Sequence, residues 1–178
     1  TYNQVASSEY YPGGEIISEH RESIFIGYRQ YDKMKNEVRY PFGHGLSYTR
    51  FTYSDLAVEN NHVTLTVKNT GKRTGEEIVQ IYIAPLERVV FHEEKSLKGF
   101  QKILLEPGEA KVVSIALDEH AYAYYHVGKK SWVTESGHYT VMAAASSRDI
   151  RLQTKIRLEK DSNLRGAFMS IEAPEDPY

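Results

Sequence analysis

The sequence contains no cysteine among its 178 residues. It therefore has no disulfide framework, no thiolate nucleophile and no cysteine-ligated zinc site. Long apolar runs are missing too, since no segment approaches the roughly 20 apolar residues that span a bilayer, and the N-terminus lacks the pattern of a secretory signal. We expect a soluble chain with no membrane partner. Its compartment stays open, with the cytoplasm slightly favoured over the exterior.

Neither sign of charge dominates. There are 22 Lys and Arg residues against 24 Asp and Glu, which gives a net charge of −2, and the basic residues are scattered. Proteins that bind nucleic acid carry basic patches or stripes, so no nucleic-acid partner is predicted. The length suits one domain with an appendage. Because the chain opens with a polar stretch at Thr1, we expect it to be a piece of a longer protein.

Apolar residues recur with period two through much of the chain. Residues 62–68 alternate strictly between apolar and polar, which is typical of a half-buried strand. Residues 78–83 are apolar on both faces, as in a central strand that stops at Pro85. Further segments at 53–58, 98–105, 113–117, 139–143 and 150–158 bring the total to about seven short strands. This pattern predicts an all-β, immunoglobulin-like β-sandwich, and no segment shows a convincing helical stripe.

Three local features refine this prediction. The apolar positions of the first strand change from odd to even, which predicts a β-bulge near Ser54 or Asp55. Tyr139 suits either a tyrosine corner, in which its hydroxyl bonds back to nearby backbone, or a simple packed core ring. The tyrosine-rich segment 121–133 predicts a short ribbon or an irregular excursion.

Residues 39–49, the connector, have neither a helical nor a strand period. Pro41 fixes its own φ, and Gly43 and Gly45 permit positive φ or close backbone approach on either side of His44. Such a segment can turn sharply and bury several rings, but an aromatic loop that caps a core explains the composition equally well.

Several motifs occur together in a fixed order. They are ESIFIGYRQYD at 22–32, RYPFGHGLSYT at 39–49, LKGFQKILLEPGE at 97–109 and SSRDI at 146–150. In this order they resemble the C-terminal region of glycoside hydrolase family 3 enzymes of the β-glucosidase and β-xylosidase type. The resemblance runs from about residue 11 to about residue 158. Ser23 departs from the pattern, which usually has glycine after the glutamate.

The resemblance implies three segments. Residues 1–50 would be an extended arm and connector from the end of an α/β sandwich domain, residues 51–158 a fibronectin type III-like β-sandwich, and residues 159–178 a tail or linker. The arm would lie against a neighbouring catalytic domain, which makes several of its residues domain-interface candidates: Tyr28, Arg29, Tyr31, Asp32, Tyr40, Phe42 and His44.

The resemblance also implies a function. The parent would be a retaining β-glycosidase that hydrolyses terminal, non-reducing β-linked sugars, and this chain would be its non-catalytic, stabilising module. The implied partners are the catalytic barrel and the α/β sandwich domain of the same protein, with carbohydrate substrate only indirectly involved. No cofactor is implied.

No catalytic residue is predicted in this chain. Glycoside hydrolysis normally needs two carboxyl groups, about 5 to 5.5 Å apart for retention. The adjacent acidic pairs border predicted turns, and neighbours on a strand point to opposite faces, so solvated charge is the preferred interpretation for Glu76-Glu77, Glu93-Glu94 and Asp118-Glu119. The family's nucleophilic aspartate lies in the barrel, and Ser54-Asp55, the only Ser-Asp pair here, does not match that segment.

The seven histidines are scattered, and their spacing does not predict a metal site.

The aromatic content leaves other functions open. With 14 tyrosines and one tryptophan, the chain could stack rings on sugars as a carbohydrate-binding module, and the candidates are Tyr122, Tyr124 and Trp132. Packing explains these rings equally well. A free-standing immunoglobulin-like adhesion or assembly domain is the remaining alternative.

Overall fold

The computed structural model describes residues 21–87 and 92–159, the backbone of 169–171, and the isolated positions 5, 8, 13, 16 and 17. Its elements, in chain order, are α1 (Tyr28–Lys33), β1 (Phe51–Glu59), β2 (His62–Asn69), β3 (Gly75–Pro85), β4 (Ser96–Leu105), β5 (Ala110–Ala116), β6 (Tyr124–His126), a 3₁₀ turn (Val127–Lys129), β7 (Ser131–Val133), β8 (Gly137–Ala144), β9 (Ile150–Leu158) and β10 (Met169–Ile171).

The strands form two main antiparallel sheets. One has the order β1-β2-β5, and the other has the order β10-β9-β8-β3-β4. Strands β6 and β7 form a separate ribbon. The predicted all-β sandwich is confirmed, and so is the ribbon interpretation of segment 121–133. The tail or linker predicted for 159–178 lies largely outside the described residues.

The core lies between the two sheets and follows the period-two pattern. On β2, Val63, Leu65 and Val67 are at most 1% exposed, because alternate side chains of a strand point to one face. Val79 and Ile81 on β3 face them and are fully buried. Each such side chain stabilises the fold by about 1.5–3 kcal/mol relative to exposure.

The central strand and the bulge appear where the sequence predicts them. Strand β3 is hydrogen-bonded to β4 on one side and to β8 on the other, and it ends at Pro85. The register of β1 against β2 shifts between Ser54 and Ala57, and Asp55 has φ of 57°. Both predictions are confirmed.

Tyr139 forms a tyrosine corner. Its ring is 2% exposed, and its hydroxyl donates a 2.9 Å hydrogen bond to the carbonyl oxygen of Glu135, just before β8 begins. The bond fixes the chain where it enters the sheet. Of the two interpretations of this residue, the corner is therefore the one confirmed.

The arm is not extended throughout, because residues 28–33 form the single-turn helix α1. Six residues are too few to show an apolar stripe, and a helix this short depends on tertiary contacts for its stability. No helix among the described residues is long and apolar enough to cross a membrane.

We predict that Tyr139→Phe lowers the free energy of unfolding by about 1 kcal/mol, because the part-buried hydrogen bond to the Glu135 carbonyl is lost. Urea unfolding measures the change. Tyr125→Phe is the matched control, since that ring is 51% exposed, and it should cost less than about 0.5 kcal/mol. Equal stability of the two variants would contradict a role for the Tyr139 hydroxyl at the corner.

Candidate functional site

The outer face of β3 is buried although it points away from the core. Val79, Ile81 and Ile83 point between the sheets, so Gln80 and Tyr82 must point outward. They are nevertheless only 3% and 0% exposed. Contacts from the arm account for this burial.

Helix α1 packs on this outer face through Tyr28. The Tyr28 ring stacks on Phe42 with centroids 4.6 Å apart and meets Tyr82 edge to face at 6.1 Å. Its hydroxyl oxygen accepts a 2.9 Å hydrogen bond from the backbone N–H of Leu97 on β4. Two of the interface candidates, Tyr28 and Phe42, are thus brought together on the sandwich itself.

Asp32 is an almost buried carboxylate held by two cations. Its side chain is 7% exposed and accepts from Lys95 Nζ at 2.9 Å and from Arg148 Nε at 3.0 Å. Arg148 also donates to the carbonyl oxygen of Tyr31 within α1, at 3.3 Å, and to that of Asn36 just beyond the helix, at 2.8 Å. Lys95 and Arg148 are 16% and 33% exposed, so solvent partly screens these pairs, and losing one partner costs less than the roughly 3–5 kcal/mol of a fully buried pair. Together the two pairs still join the helix to the sheet at two points.

Gln80 holds the connector in the same way. Its amide nitrogen donates to the carbonyl oxygens of Gly43 and Ala145, at 3.0 and 2.9 Å, and its amide oxygen accepts from the Tyr82 hydroxyl at 2.8 Å. Gly43 has φ of 77°, and a Cβ there would lie 2.1 Å from the Gln80 amide oxygen. Only glycine fits this close approach, which gives Gly43 its predicted role.

Past these contacts the connector is exposed. We use the term apolar strip for four of its side chains, which are 47% to 91% exposed: Tyr40, Phe42, Leu46 and Tyr48. The fixed part of the connector therefore presents apolar side chains outward. Among the interface candidates, His44 stacks on Tyr40 with centroids 5.5 Å apart.

The apolar strip continues into an open groove of about 960 Å³. Leu46 and Tyr48 line the groove, and so do Ile78 and Leu104. Ile78 and Leu104 are 46% and 53% exposed. Charged side chains line the groove as well. Exposed apolar side chains grouped in this way are typical of a contact with another domain or protein.

The acidic pairs have local structural partners. Glu76 pairs with Lys102 at 2.6 Å, and Glu94 pairs with Lys33 at 3.2 Å; all four side chains are at least 42% exposed. Asp118 accepts from the backbone N–H of His120. In the described part of the chain, no three His, Asp or Glu residues group as ligands for a metal ion.

Glu77 differs from the solvated carboxylate that its turn position predicts, because it is half-buried beside Tyr53. The Tyr53 hydroxyl donates to Glu77 Oε1 at 2.8 Å. Burial raises the pKa of Glu77 above its ordinary value of 4.5, against the opposing effects of the Tyr53 hydrogen bond and the Arg151 charge. The sequence did not indicate this burial, because it depends on contact with Tyr53 of β1, which is 24 residues away in the chain.

The aromatic residues of the ribbon do not form one flat surface. Tyr122 is 7% exposed and packs edge to face on Tyr139, 5.4 Å away. The Tyr124 hydroxyl donates to Glu135 Oε1 at 2.9 Å. Trp132 is 49% exposed and stacks on His120 at 4.8 Å. Of the three sugar-stacking candidates, Trp132 therefore offers the most open ring.

We predict that Glu77→Gln raises the melting temperature at pH 7 and leaves it nearly unchanged below pH 4. A carboxyl with a raised folded-state pKa favours folding when protonated, and this contribution is lost as the pH rises through that pKa. Glutamine keeps the acceptor for Tyr53 without the charge. Scanning calorimetry across this pH range measures the effect.

Glu76→Gln is the control for this experiment, because Glu76 lies in an exposed ion pair. Its melting temperature should change little at either pH. A Glu77→Gln variant that is less stable at pH 7 than at pH 4, relative to the unsubstituted chain, would contradict the burial of an unfavourable charge.

Comparison with known proteins finds similarity to a part of several β-glucosidases. Residues 77–147 match the family model of the fibronectin type III-like domain. The thermostable β-glucosidase B of Acetivibrio thermocellus is 42% identical over 174 residues, which cover 93% of this chain and 23% of that protein.

Solved structures agree. The GH3 β-glucosidase of Bifidobacterium adolescentis superposes with a TM-score of 0.82 at 39% identity and covers 87% of this chain. The β-glucosidase of Kluyveromyces marxianus in complex with glucose gives a TM-score of 0.84 at 37% identity and covers 89% of this chain.

The matched part is a small share of each relative. This chain spans 23% of the Acetivibrio protein and 24% and 20% of the two solved chains, so in those proteins the domain is accompanied by other domains. The chain therefore contains a fibronectin type III-like domain and is similar to a part of family 3 β-glucosidases, as its motifs predicted.

Proposed function

We propose that this chain is a non-catalytic accessory module of a family 3 retaining β-glycosidase that removes terminal, non-reducing β-linked sugars. The apolar strip on the fixed connector carries the proposal. Leu46 and Tyr48 are each 91% exposed, although the connector beside them is hydrogen-bonded to the sheet through Gly43. Large apolar side chains held outward on a fixed backbone favour a docking role.

The partner we propose is the α/β sandwich domain of the same polypeptide, with the catalytic barrel beyond it. The relatives are four to five times longer than their matched part, as shares of 20% to 24% require. This favours a module of a larger enzyme over a free-standing adhesion domain.

The module would act by positioning. Reacting groups that are misplaced by about 1 Å can lose on the order of a hundredfold in rate. The arm is fastened to the sandwich at Asp32 and at Gly43, so the orientation of the sandwich constrains the domain to which the arm leads. Support of this kind needs no catalytic carboxylate within the module.

The test compares the double variant Leu46→Ser/Tyr48→Ser in two proteins, the 178-residue chain and the complete enzyme. Both side chains are solvent-exposed in the chain, so the change there should stay within about 0.5 kcal/mol in the free energy of unfolding. In the complete enzyme they would be buried at the domain contact. We expect its half-life of activity on heating to fall severalfold, since burying one such side chain stabilises by about 1.5–3 kcal/mol.

Val112→Ser is the matched control. Val112 is 76% exposed on β5, in the other sheet. Its substitution should change neither the free energy of unfolding of the chain nor the half-life of activity of the complete enzyme. An enzyme that inactivates at the same rate with and without Leu46 and Tyr48 would contradict docking through the apolar strip.

A further inference from the structure

A second concave surface lies beside the β6–β7 ribbon. We call it the ribbon cleft. It has a volume of about 320 Å³ and is lined by residues that include Arg29, Glu93, Tyr125 and Trp132. Its volume is at the lower end of the range for small-molecule sites. Leu46 and Tyr48 do not line it, so it is distinct from the docking groove.

Two half-exposed rings form an aromatic wall in the cleft. Trp132 and Tyr125 are 49% and 51% exposed, and their planes stand at 78° with centroids 5.8 Å apart. His120 stacks on one face of the indole at an interplanar angle of 12°. This stacking fixes the indole, so its orientation costs little entropy when a ligand binds.

A cationic and an acidic side chain line the same cleft. The Arg29 Nε–H is buried without a hydrogen-bond partner in the described part of the chain. Glu93 is half-buried, and the Ser96 hydroxyl donates to its Oε1. Although burial opposes ionisation, this hydrogen bond and the charges of Arg29 and Lys98 lower the pKa of Glu93 below its ordinary value. Arg29 and Glu93 both line the cleft, which therefore offers a cationic donor group and an ionised acceptor.

This combination selects a class of ligand. The guanidinium of Arg29 carries further N–H groups besides Nε, and a ligand oxygen can accept from them. An anion would also face the Glu93 carboxylate, whereas a hydroxyl can donate to Glu93 and accept from Arg29. A pyranose with equatorial hydroxyls carries these groups around the edge of its ring. Its two faces are lined by C–H groups, and one face can stack on an indole ring.

We propose that the ribbon cleft binds one pyranose unit of a neutral glucan, with Trp132 against its C–H face and Glu93 and Arg29 bonded to its hydroxyls; the choice of a β-linked glucan rests on the proposed function. This goes beyond the docking role, because it gives the module direct contact with carbohydrate. Tyr122, a predicted stacking residue, contributes only to the lining of the cleft.

The experiment titrates the 178-residue chain with cellotetraose. Trp132 is the only tryptophan in the sequence, so its indole N–H resonance and its fluorescence report on this site alone. We expect a saturable change in both signals. Tyr125→Ala keeps the reporter and should weaken binding about tenfold, in line with the loss of one aromatic wall. Trp132→Ala should abolish the heat of binding in calorimetry.

Phe100→Ala is the matched control, because it removes a 68% exposed ring that lines neither the cleft nor the docking groove, and it should leave the affinity unchanged. Backbone amide spectra establish that each variant is folded. The proposal is overturned if cellotetraose leaves the Trp132 signals unchanged, or if binding persists in folded Trp132→Ala. Neither result affects docking, which is measured on a different surface.

Discussion

The Asp32 carboxylate is only 7% exposed, and two cations from separate parts of the sandwich compensate its charge. Lys95 precedes β4, and Arg148 lies in the turn between β8 and β9. Both cations therefore adjoin strands of the five-stranded sheet. Because desolvating an unpaired carboxylate is costly, α1 has one favourable position, and that position determines where the connector begins.

The connector is then fastened a second time at Gly43, where the Gln80 amide has all its hydrogen-bonding groups satisfied at 3% exposure. Between these two points, Phe42 stacks on Tyr28. Just after the second point, Leu46 and Tyr48 are each 91% exposed. The exposed apolar side chains thus follow directly on a backbone that polar contacts hold to the sheet, as the proposed docking role requires.

The sequence was informative wherever the signal was local. Period two predicted the strands, the odd-to-even change predicted the bulge at Asp55, and the position of Tyr139 was compatible with its corner. Contacts between distant residues were not predictable, because Asp32 and Arg148 are 116 residues apart and no spacing rule links them. Arg148 belongs to the SSRDI motif, but the sequence predicted no role for its side chain. The burial of Glu77 was missed for a similar reason, since burial depends on what lies across a residue, and for Tyr122 the sequence left packing and sugar stacking open.

Hydrogen–deuterium exchange of the 178-residue chain measures whether the Asp32 ion pairs hold the arm to the sandwich. We predict slow exchange at the Leu97 and Ser147 amides, which donate to Tyr28 and Phe42 of the arm. In Asp32→Asn these amides should exchange at least about tenfold faster, as the loss of roughly 1.4 kcal/mol or more requires, while amides between β2 and β5 stay protected. Equal exchange at Leu97 and Ser147 in both proteins would contradict the account.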